Sequence, residues 1–243
     1  LELNLIIMIH HKEPKLKNGK IILFFCRKKC SYSEQGISLM LSLGYEVFIV
    51  YNEGKSDKLP DDIGWVQCDY IICFRSWFIL PKHIIELPKY YSINLHPGPP
   101  NYPGSGCINF SLYNDEKEFG VTTHLMEVKV DSGKIINYET FPVLKNQSLE
   151  SVLKTTHQKL FNQLTDLLLN LSSHGNEYIE KNIKKNNSVK WSNVKKTIKQ
   201  LDEQREIRLD FSEKELNKRI RSFHHEDFPL FIKLHNKTFF LKE

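Results

Sequence analysis

The first hundred residues alternate between short apolar runs, which are typical of β-strands, and segments with helical periodicity. One helix pattern spans Ser31–Leu43 and stops at Gly44, and a shorter one follows Pro81, a residue suited to a first helical turn. The strand patterns lie at Lys20–Cys26, Tyr45–Tyr51, Asp69–Phe74 and Tyr91–Leu95. This alternation predicts an α/β fold with a mostly parallel sheet flanked by helices.

The remaining sequence predicts the end of that sheet and a small appendage. Gly120–Val128 and Ile135–Val143 are rich in strand-forming residues and flank a DSG turn, and Ser148–Ser173 forms an amphipathic stripe. After a lysine-rich stretch, Ser212 with Glu215 predicts a capped helix start, and the final residues predict a hairpin turning at Asn236 and Lys237. The appendage is therefore a small α+β extension.

Length and composition restrict the class of protein. A chain of 243 residues with 40% hydrophobic and 26% charged residues is sufficient for one sizeable core. The net charge is +5, and Lys181–Lys199 contains seven lysines and no acidic residue. With only Trp191 interleaved, this run predicts a solvated linker and no nucleic-acid groove.

The cysteines and the apolar runs predict a cytoplasmic protein. The five cysteines form no CxxC pair and lie mostly in apolar stretches, as reduced core thiols do. No apolar run approaches the roughly 20 residues of a membrane span, and no signal peptide is recognisable. We expect residues 1–19 to be an N-terminal extension or a cloning remnant.

The most unusual run is INLHPGPPNYPG, at residues 93–104. Asn94 and His96 are two residues apart on a predicted strand, so both side chains leave the same face. The prolines and glycines that follow predict a rigid loop that a ligand can approach closely. Alone, each residue is more often structural, and Asp131 in its VDSG turn is more often an ordinary turn aspartate. Spacing does not prove that the three meet.

Several motifs in the same order resemble the folate-dependent formyltransferase family. They are Asn94-x-His96-Pro97-Gly98, YPG at 102–104, GVT at 120–122, and Asp131-x-Gly133. The HPGPPNYPG wording is most similar to the sugar N-formyltransferase branch. The resemblance implies a Rossmann-like formyltransferase catalytic domain at 20–180, with a linker and a C-terminal helix and hairpin extension at 181–243.

The resemblance also implies chemistry for these residues. Asn94, His96 and Asp131 become a catalytic triad for attack of a neutral sugar amine on the formyl carbon of the co-substrate 10-formyltetrahydrofolate. Asn94 and His96 stabilise the oxyanion, and Asp131 orients His96 and assists removal of the proton. The pteridine ring is expected against apolar walls and backbone groups, at Trp77, Phe78, Ile79, Leu80 and Val128.

Substrate contacts are expected at two places. Arg27, Lys28 and Ser31 lie after the first strand and before a helix, a combination suited to phosphate. The absence of GxGxxG disfavours a dinucleotide and departs from the glycine-rich loop of the relatives that formylate glycinamide ribonucleotide. Pro97, Gly98 and Tyr102 are expected near the sugar or base. The implied acceptor is a nucleotide-linked amino sugar, with dTDP-4-amino-4,6-dideoxyglucose as the best guess, used in surface polysaccharide (O-antigen, lipopolysaccharide) synthesis.

The C-terminal run RIRSFHHEDFP, at residues 219–229, resembles the segment in which sugar formyltransferases build the substrate site or a subunit contact, and a homodimer is expected. Its adjacent histidines are poorly spaced for one ion, so no metal is predicted.

Two alternatives remain. A methionyl-tRNA formyltransferase is disfavoured because only about sixty residues follow the catalytic domain, too few for a typical tRNA-binding domain. A catalytically silent nucleotide-binding protein of the same fold is disfavoured because it has no need for all three triad residues.

Overall fold

The computed structural model describes residues 8–11 and 19–242. A seven-stranded sheet runs in the order β1-β3-β2-β4-β5-β6-β7, and a separate two-stranded sheet pairs β8 with β9. The strands are β1 (Met8–His11), β2 (Ile21–Arg27), β3 (Glu46–Asn52), β4 (Tyr70–Phe74), β5 (Tyr91–His96), β6 (Glu118–Leu125), β7 (Ile135–Pro142), β8 (Phe231–Leu234) and β9 (Lys237–Phe240). The helices are α1 (Ser31–Ser42), α2 (Lys82–Ile85), α3 (Cys107–Tyr113), α4 (Leu149–His174), α5 (Asn176–Lys185), α6 (Ile198–Arg205) and α7 (Glu213–Phe223).

The predicted α/β class is confirmed, and its topology identifies one functional edge. Strands β2 to β5 pair in parallel, whereas β5 pairs with β6 in the antiparallel sense. The chain passes from β2 outward to β3 and then returns to β4 on the other side of β2. The strand order therefore reverses at β2, and in such sheets ligands collect at the carboxyl ends beside the reversal.

The central strands form because both of their faces are covered. Every residue of β4 is buried, and so are the five central residues of β2. A parallel strand covered on both faces is expected to be continuously apolar, as these are. Gly36 in α1 allows close packing, because a Cβ at that position would lie 2.9 Å from Cδ2 of Leu164 in α4.

The chain divides into two compact units. The first comprises Leu1–His96, Thr122–Tyr138 and Leu160–Val189, and the second comprises Pro97–Val121, Glu139–Lys159 and Lys190–Glu243. In the second unit α3 packs on α7, where the rings of Phe110 and Phe223 lie edge to face at 5.6 Å. Ser212 caps α7 as predicted, accepting a hydrogen bond from the Glu215 backbone N–H at 3.2 Å. The domain bounds expected from the resemblance stay a prediction.

Several local expectations need correction. Pro81 is the N-cap of α2 and does not lie in its first turn. The C-terminal hairpin exists, but its turn residues are His235 and Asn236, which both have positive φ, and Lys237 already belongs to β9. Met8–His11 form an edge strand within the predicted extension, and the rest of that prediction for residues 1–18 lies outside the described residues.

The cysteine prediction is confirmed, since all five cysteines are buried and none of them forms a disulfide. Within residues 8–11 and 19–242, no helix is both long and apolar enough to cross a membrane.

Candidate active site

The carboxyl end of β5 carries two polar side chains on one face. Asn94 and His96 alternate with Ile93 and Leu95, so their side chains project in the same direction. The antiparallel register with β6 then sets His124 directly opposite Asn94, and Thr122 opposite His96. Because directly opposed residues of an antiparallel pair share a face, His124 joins the two predicted residues.

The turn between β6 and β7 brings Asp131 to the same place. The Leu125 backbone N–H donates to the Lys134 carbonyl at 2.9 Å and closes the turn. A Cβ at Gly133 would lie 1.9 Å from the Leu125 carbonyl oxygen, so the turn needs glycine there. Asp131 adopts φ +49°, a left-handed conformation that aspartate tolerates better than most residues. The DSG turn therefore supplies the Asp131 carboxylate and also fixes the direction in which that carboxylate points.

The Asp131 carboxylate lies between two imidazole rings. Its Oδ2 is 3.5 Å from His96 Nδ1, and its Oδ1 is 3.5 Å from His124 Nε2. We call Asn94, His96, His124 and Asp131 the polar cluster. Its two histidines and its carboxylate expose only 4%, 2% and 7% of their surface. A buried carboxylate is tolerated only with compensating partners, and His96, whose Nδ1 faces Oδ2, is one of them.

His124 was not predicted from the sequence. Its Nε2 lies 3.1 Å from Asn94 Nδ2, and its Nδ1 lies 2.7 Å from the Leu125 carbonyl oxygen. One sequence feature was available: His124 lies in the same strand as the GVT motif, at even spacing from Thr122 and therefore on the same face. Pairing that face with Asn94 requires the β5–β6 register, which strand patterns do not specify.

The five residues predicted to contact the pteridine ring divide into three kinds. Phe78 packs edge to face on Phe25 at 6.0 Å, and Leu80 is buried in the same apolar core. Ile79 and Val128 expose 73% and 61% of their surface, so their side chains are uncovered apolar groups. The Trp77 ring already faces a cation, because Arg27 Cζ lies 4.2 Å from its centroid.

Cations gather where the strand order reverses, at the ends of β2, β3 and β4. We call Arg27, Lys28, Lys55, Arg75 and Trp77 the cation cluster. Arg27 Nε donates to the Arg75 carbonyl at 3.0 Å, and Lys55 Nζ lies 5.1 Å from the Trp77 centroid. Lys28 forms an exposed ion pair with Glu53. The structure thus brings predicted substrate and cofactor residues, Arg27 and Trp77, into one assembly.

Two further groups border this cluster. Asn52, at the end of β3, accepts a hydrogen bond from the Trp77 backbone N–H at 3.3 Å, while its buried Nδ2 has no partner among the described residues. Cys30, the N-cap of α1, has its Sγ 3.1 Å from Arg75 Nη1. Burial acts to raise the pKa of Cys30, but hydrogen bonding to Ser33 and the charge of Arg75 outweigh it and lower the pKa. Ser31 is exposed at the start of α1.

The other three predicted substrate residues belong to the second compact unit. The Pro97 carbonyl accepts a hydrogen bond from Cys107 Sγ at 3.0 Å, and Gly98 is buried. The Tyr102 hydroxyl donates to Glu116 at 2.8 Å and accepts from Asn114 at 2.9 Å. Burial, together with the Glu116 carboxylate, raises the pKa of Tyr102 to about 12. The Tyr102 hydroxyl therefore already has hydrogen-bond partners within its own compact unit. The part of the chain that the structure describes contains no group of three side chains suited to holding a metal ion.

Comparison with known proteins shows which family this chain belongs to. Residues 8–167 match the formyl transferase family. A methionyl-tRNA formyltransferase from Clostridium novyi is 39% identical over 83 residues, which are 34% of this chain and 27% of that protein. The chain therefore spans well under half the length of this curated relative.

Two solved structures share the fold over nearly their full lengths. A sugar N-formyltransferase from a Shewanella species aligns with a TM-score of 0.69 at 15% identity, covering 92% of this chain and 97% of that one. An N-formyltransferase from Helicobacter canadensis, solved with folinic acid and dTDP-3-aminofucose, aligns with a TM-score of 0.64 at 15% identity, covering 90% and 85%. With two-thirds of its residues matched to the family, the chain belongs to the formyl transferases.

Proposed function

We propose that this protein transfers a formyl group from 10-formyltetrahydrofolate to the amine of a nucleotide-linked amino sugar. The observation that carries the proposal is the polar cluster: a buried carboxylate, two imidazoles and an amide, contributed by β5, β6 and the turn after β6. Acyl transfer to an amine needs these groups, namely donors for an oxyanion and an acceptor for a proton.

In the proposed reaction, the neutral amine attacks the formyl carbon and forms the new C–N bond. The formyl oxygen gains negative charge, which the Asn94 amide and the His96 ring stabilise by donating hydrogen bonds. Asp131 lies beside Nδ1 of His96, so its negative charge favours the imidazolium form of the ring, in which Nε2 also carries a proton and can donate to the oxyanion. The amine proton leaves towards Asp131, directly or through water, and Asp131 returns a proton by the same route to the departing folate nitrogen as its bond to carbon breaks, so that no net proton is gained or lost.

The residues near the cluster fit a folate co-substrate. A flat heterocycle needs apolar walls and backbone donors and acceptors, and Ile79 and Val128 offer uncovered apolar side chains on two loops of the first unit. Phe78 and Leu80 stiffen the first of these loops from the core side. In this proposal Trp77 supplies backbone groups and supports Arg27, so its ring does not stack on the pteridine.

Support for an acidic acceptor comes from the cation cluster and its surroundings. Arg27 is held in place by the Trp77 ring and the Arg75 carbonyl, and the buried Asn52 Nδ2 is a donor without a partner among the described residues. Preorganised cations and donors at a strand-order reversal suit a phosphate or pyrophosphate. We assign the phosphate contact to Arg27 and Ser31 in preference to Lys28, because Glu53 already forms an ion pair with Lys28.

A sugar acceptor is also supported by the extent of the structural match. The family match ends at residue 167 of 243, whereas the alignment with the Shewanella sugar N-formyltransferase covers 92% of this chain and so includes most of the C-terminal residues. We propose a thymidine-linked 4-amino-4,6-dideoxyglucose as acceptor, on the way to a surface polysaccharide, and a cytoplasmic homodimer as the active form. Pro97, Gly98 and Tyr102 remain proposed contacts to the sugar nucleotide.

Methionyl-tRNA is the second candidate acceptor, because methionyl-tRNA formyltransferases are the curated relatives by sequence. The segment from Lys181 to Lys199 contains seven lysines, most of them exposed, and no acidic residue in its sequence. Lysine-rich segments bind polyanions with an affinity that falls steeply with salt.

One experiment compares these acceptors. The protein is incubated with 10-formyltetrahydrofolate and, separately, with a panel of nucleotide amino sugars and with methionyl-tRNA, and a formyl-sized mass gain is sought. We expect the gain on a sugar nucleotide and its loss in His96→Ala, with full activity in His83→Ala, which removes an exposed histidine from α2. Formylation of methionyl-tRNA alone selects the second candidate, and no gain on any acceptor rejects formyl transfer.

A further inference from the structure

We propose that His124 is a positioning residue that holds the Asn94 amide with an N–H donor available for catalysis. The inference rests on the proposed function of Asn94 and assigns a task to a residue outside the triad. Asn94 and His124 face each other across the β5–β6 ladder, so the pair is set by strand register and not by a loop.

The main chain fixes which nitrogen of His124 carries the proton. Nδ1 lies 2.7 Å from the Leu125 carbonyl oxygen. A carbonyl oxygen can only accept a hydrogen bond, so Nδ1 must be the donor. A neutral imidazole carries one proton, and Nε2 is therefore an acceptor. The backbone of β6 thereby selects the tautomer.

That tautomer determines the orientation of Asn94. The terminal torsion of asparagine is broad and roughly two-fold, so the side chain itself does not choose between its two amide orientations. Nε2 of His124 lies 3.1 Å from Asn94 Nδ2, and an acceptor at this distance requires the amide nitrogen, not the oxygen. The flipped amide would set its oxygen against the lone pair of Nε2. One amide hydrogen is used by His124, and the second remains for the developing oxyanion.

The surroundings of the pair strengthen this selection. His124 is 2% exposed, so bulk water has little access to replace the imidazole as acceptor. The Asp131 carboxylate would favour a proton on Nε2, but its Oδ1 lies 3.5 Å away, beyond a good hydrogen bond, whereas the Leu125 carbonyl oxygen lies only 2.7 Å from Nδ1. A ring protonated on both nitrogens would donate from Nε2, and Asn94 would then have to present its oxygen and lose its donor. The proposal therefore requires a neutral His124 in the active enzyme.

The kinetic test is a double-mutant cycle between His124→Leu and Asn94→Ala. We expect His124→Leu to lower kcat with KM nearly unchanged, by less than the roughly 100- to 1,000-fold lost when an oxyanion donor itself is removed. In the Asn94→Ala background, His124→Leu should change kcat no further. His124→Gln should recover most of the activity, because its side-chain oxygen can accept from Asn94. His83→Leu is the control for loss of a histidine.

Additive losses in the double variant, or a His124→Leu enzyme with wild-type kcat, overturn the proposal. A second measurement does not need turnover: proton–nitrogen NMR of the histidine rings, with the His124 signals assigned by their absence in His124→Gln. Nδ1 should be protonated and Nε2 unprotonated at the pH of the assay. A ring protonated on Nε2 overturns the inference even if formyl transfer is found, and the expected tautomer supports it even if the acceptor panel yields no product.

Discussion

Two clusters at the carboxyl edge of the same sheet, both in the first compact unit, differ in how their charges are balanced. The polar cluster at the end of β5 buries one carboxylate between two imidazole rings. The cation cluster at the ends of β2 and β4 keeps several positive charges half-exposed, and it holds them with a carbonyl, an indole ring and one exposed glutamate. The polar cluster holds its carboxylate between rings of its own, whereas the five residues of the cation cluster include four cations and no acidic residue.

This difference indicates two kinds of function. Low exposure strengthens every electrostatic interaction inside the polar cluster, which is the condition for stabilising charge that appears during a reaction. Half-exposed cations interact more weakly with each other and remain accessible to an anionic ligand. Substitutions in the polar cluster should therefore change kcat, and substitutions in the cation cluster should change KM.

The largest effect is expected from Asp131→Asn. Loss of the carboxylate removes the charge that pairs with His96 and the acceptor for the amine proton, so kcat should fall about 100-fold or more, within the range of a lost general base. Asparagine also tolerates the left-handed backbone at this position, so thermal unfolding should change little.

The measurement is steady-state formylation beside a thermal melt, with the exposed Asp61→Asn as matched control. Turnover within twofold of wild type in Asp131→Asn would contradict the role given to the polar cluster.

Gly133→Ala should separate the geometry of the turn from its chemistry. The added Cβ meets the Leu125 carbonyl oxygen at 1.9 Å, and backbone cannot move aside as a flexible side chain does. We expect a loss of about 1 to 3 kcal/mol in the free energy of unfolding, the usual range for overpacking. Urea denaturation measures it, since a lower midpoint at constant slope reports stability.

Gly64→Ala is the matched control, because no atom lies within 4 Å of its added Cβ. Equal urea midpoints for Gly133→Ala and Gly64→Ala would show that the turn accommodates the added Cβ without losing stability. In that case Asp131 is not held as firmly as the structure indicates.

The strands and main helices follow from sequence because they depend on local periodicity. Buried runs such as β2 and β4 are apolar along their whole length, and α4 keeps one apolar stripe over seven turns. α3 was missed because its N-cap, Gly106, lies in the left-handed region and offers no side-chain cap, so no start pattern marks it. α5 was missed because its lysines suggested a solvated linker.

Only part of the candidate site could be predicted from the sequence, and the reason is different. Asn94 and His96 are close in sequence, and period-2 alternation predicts their shared face. Asp131 needs a tight turn with an unusual backbone angle, and His124 needs the register of two strands. Both features depend on tertiary structure. The resemblance to a family predicted Asp131 as a site residue, but it did not predict the turn that positions its carboxylate.

A smaller effect is expected at the cation cluster, from the neighbouring pair Arg27→Ala and Lys28→Ala. Arg27 is held against Trp77, whereas Lys28 is exposed and already paired with Glu53. KM for the sugar nucleotide should rise about tenfold in Arg27→Ala, the low end for a hydrogen bond to a charged group, with kcat unchanged.

Lys28→Ala should leave KM within about twofold, as exposed ion pairs contribute little. Initial rates over a range of acceptor concentrations, at low and high salt, measure both variants. A larger rise in KM for Lys28→Ala than for Arg27→Ala would place the anion on the exposed side of the cluster.

The smallest effect concerns the ionisation of Cys30, which reports on the charge of the cation cluster without any substrate. Burial raises the pKa of Cys26, Cys68 and Cys73, to about 12 for Cys68, whereas the pKa of Cys30 is lowered. As pH rises from neutrality, the Cys30 thiolate should therefore form before the thiolates of Cys26, Cys68 and Cys73. Ultraviolet absorbance measures thiolate formation, and the step that is lost in Cys30→Ser is assigned to Cys30. Because Arg75 Nη1 lies 3.1 Å from Sγ, Arg75→Ala should move this step to higher pH. If the Cys30 ionisation stays at the same pH in Arg75→Ala, helix α1 and Ser33 stabilise the thiolate without Arg75. Solvent would then screen the positive charge of the cation cluster more than its half-buried position implies.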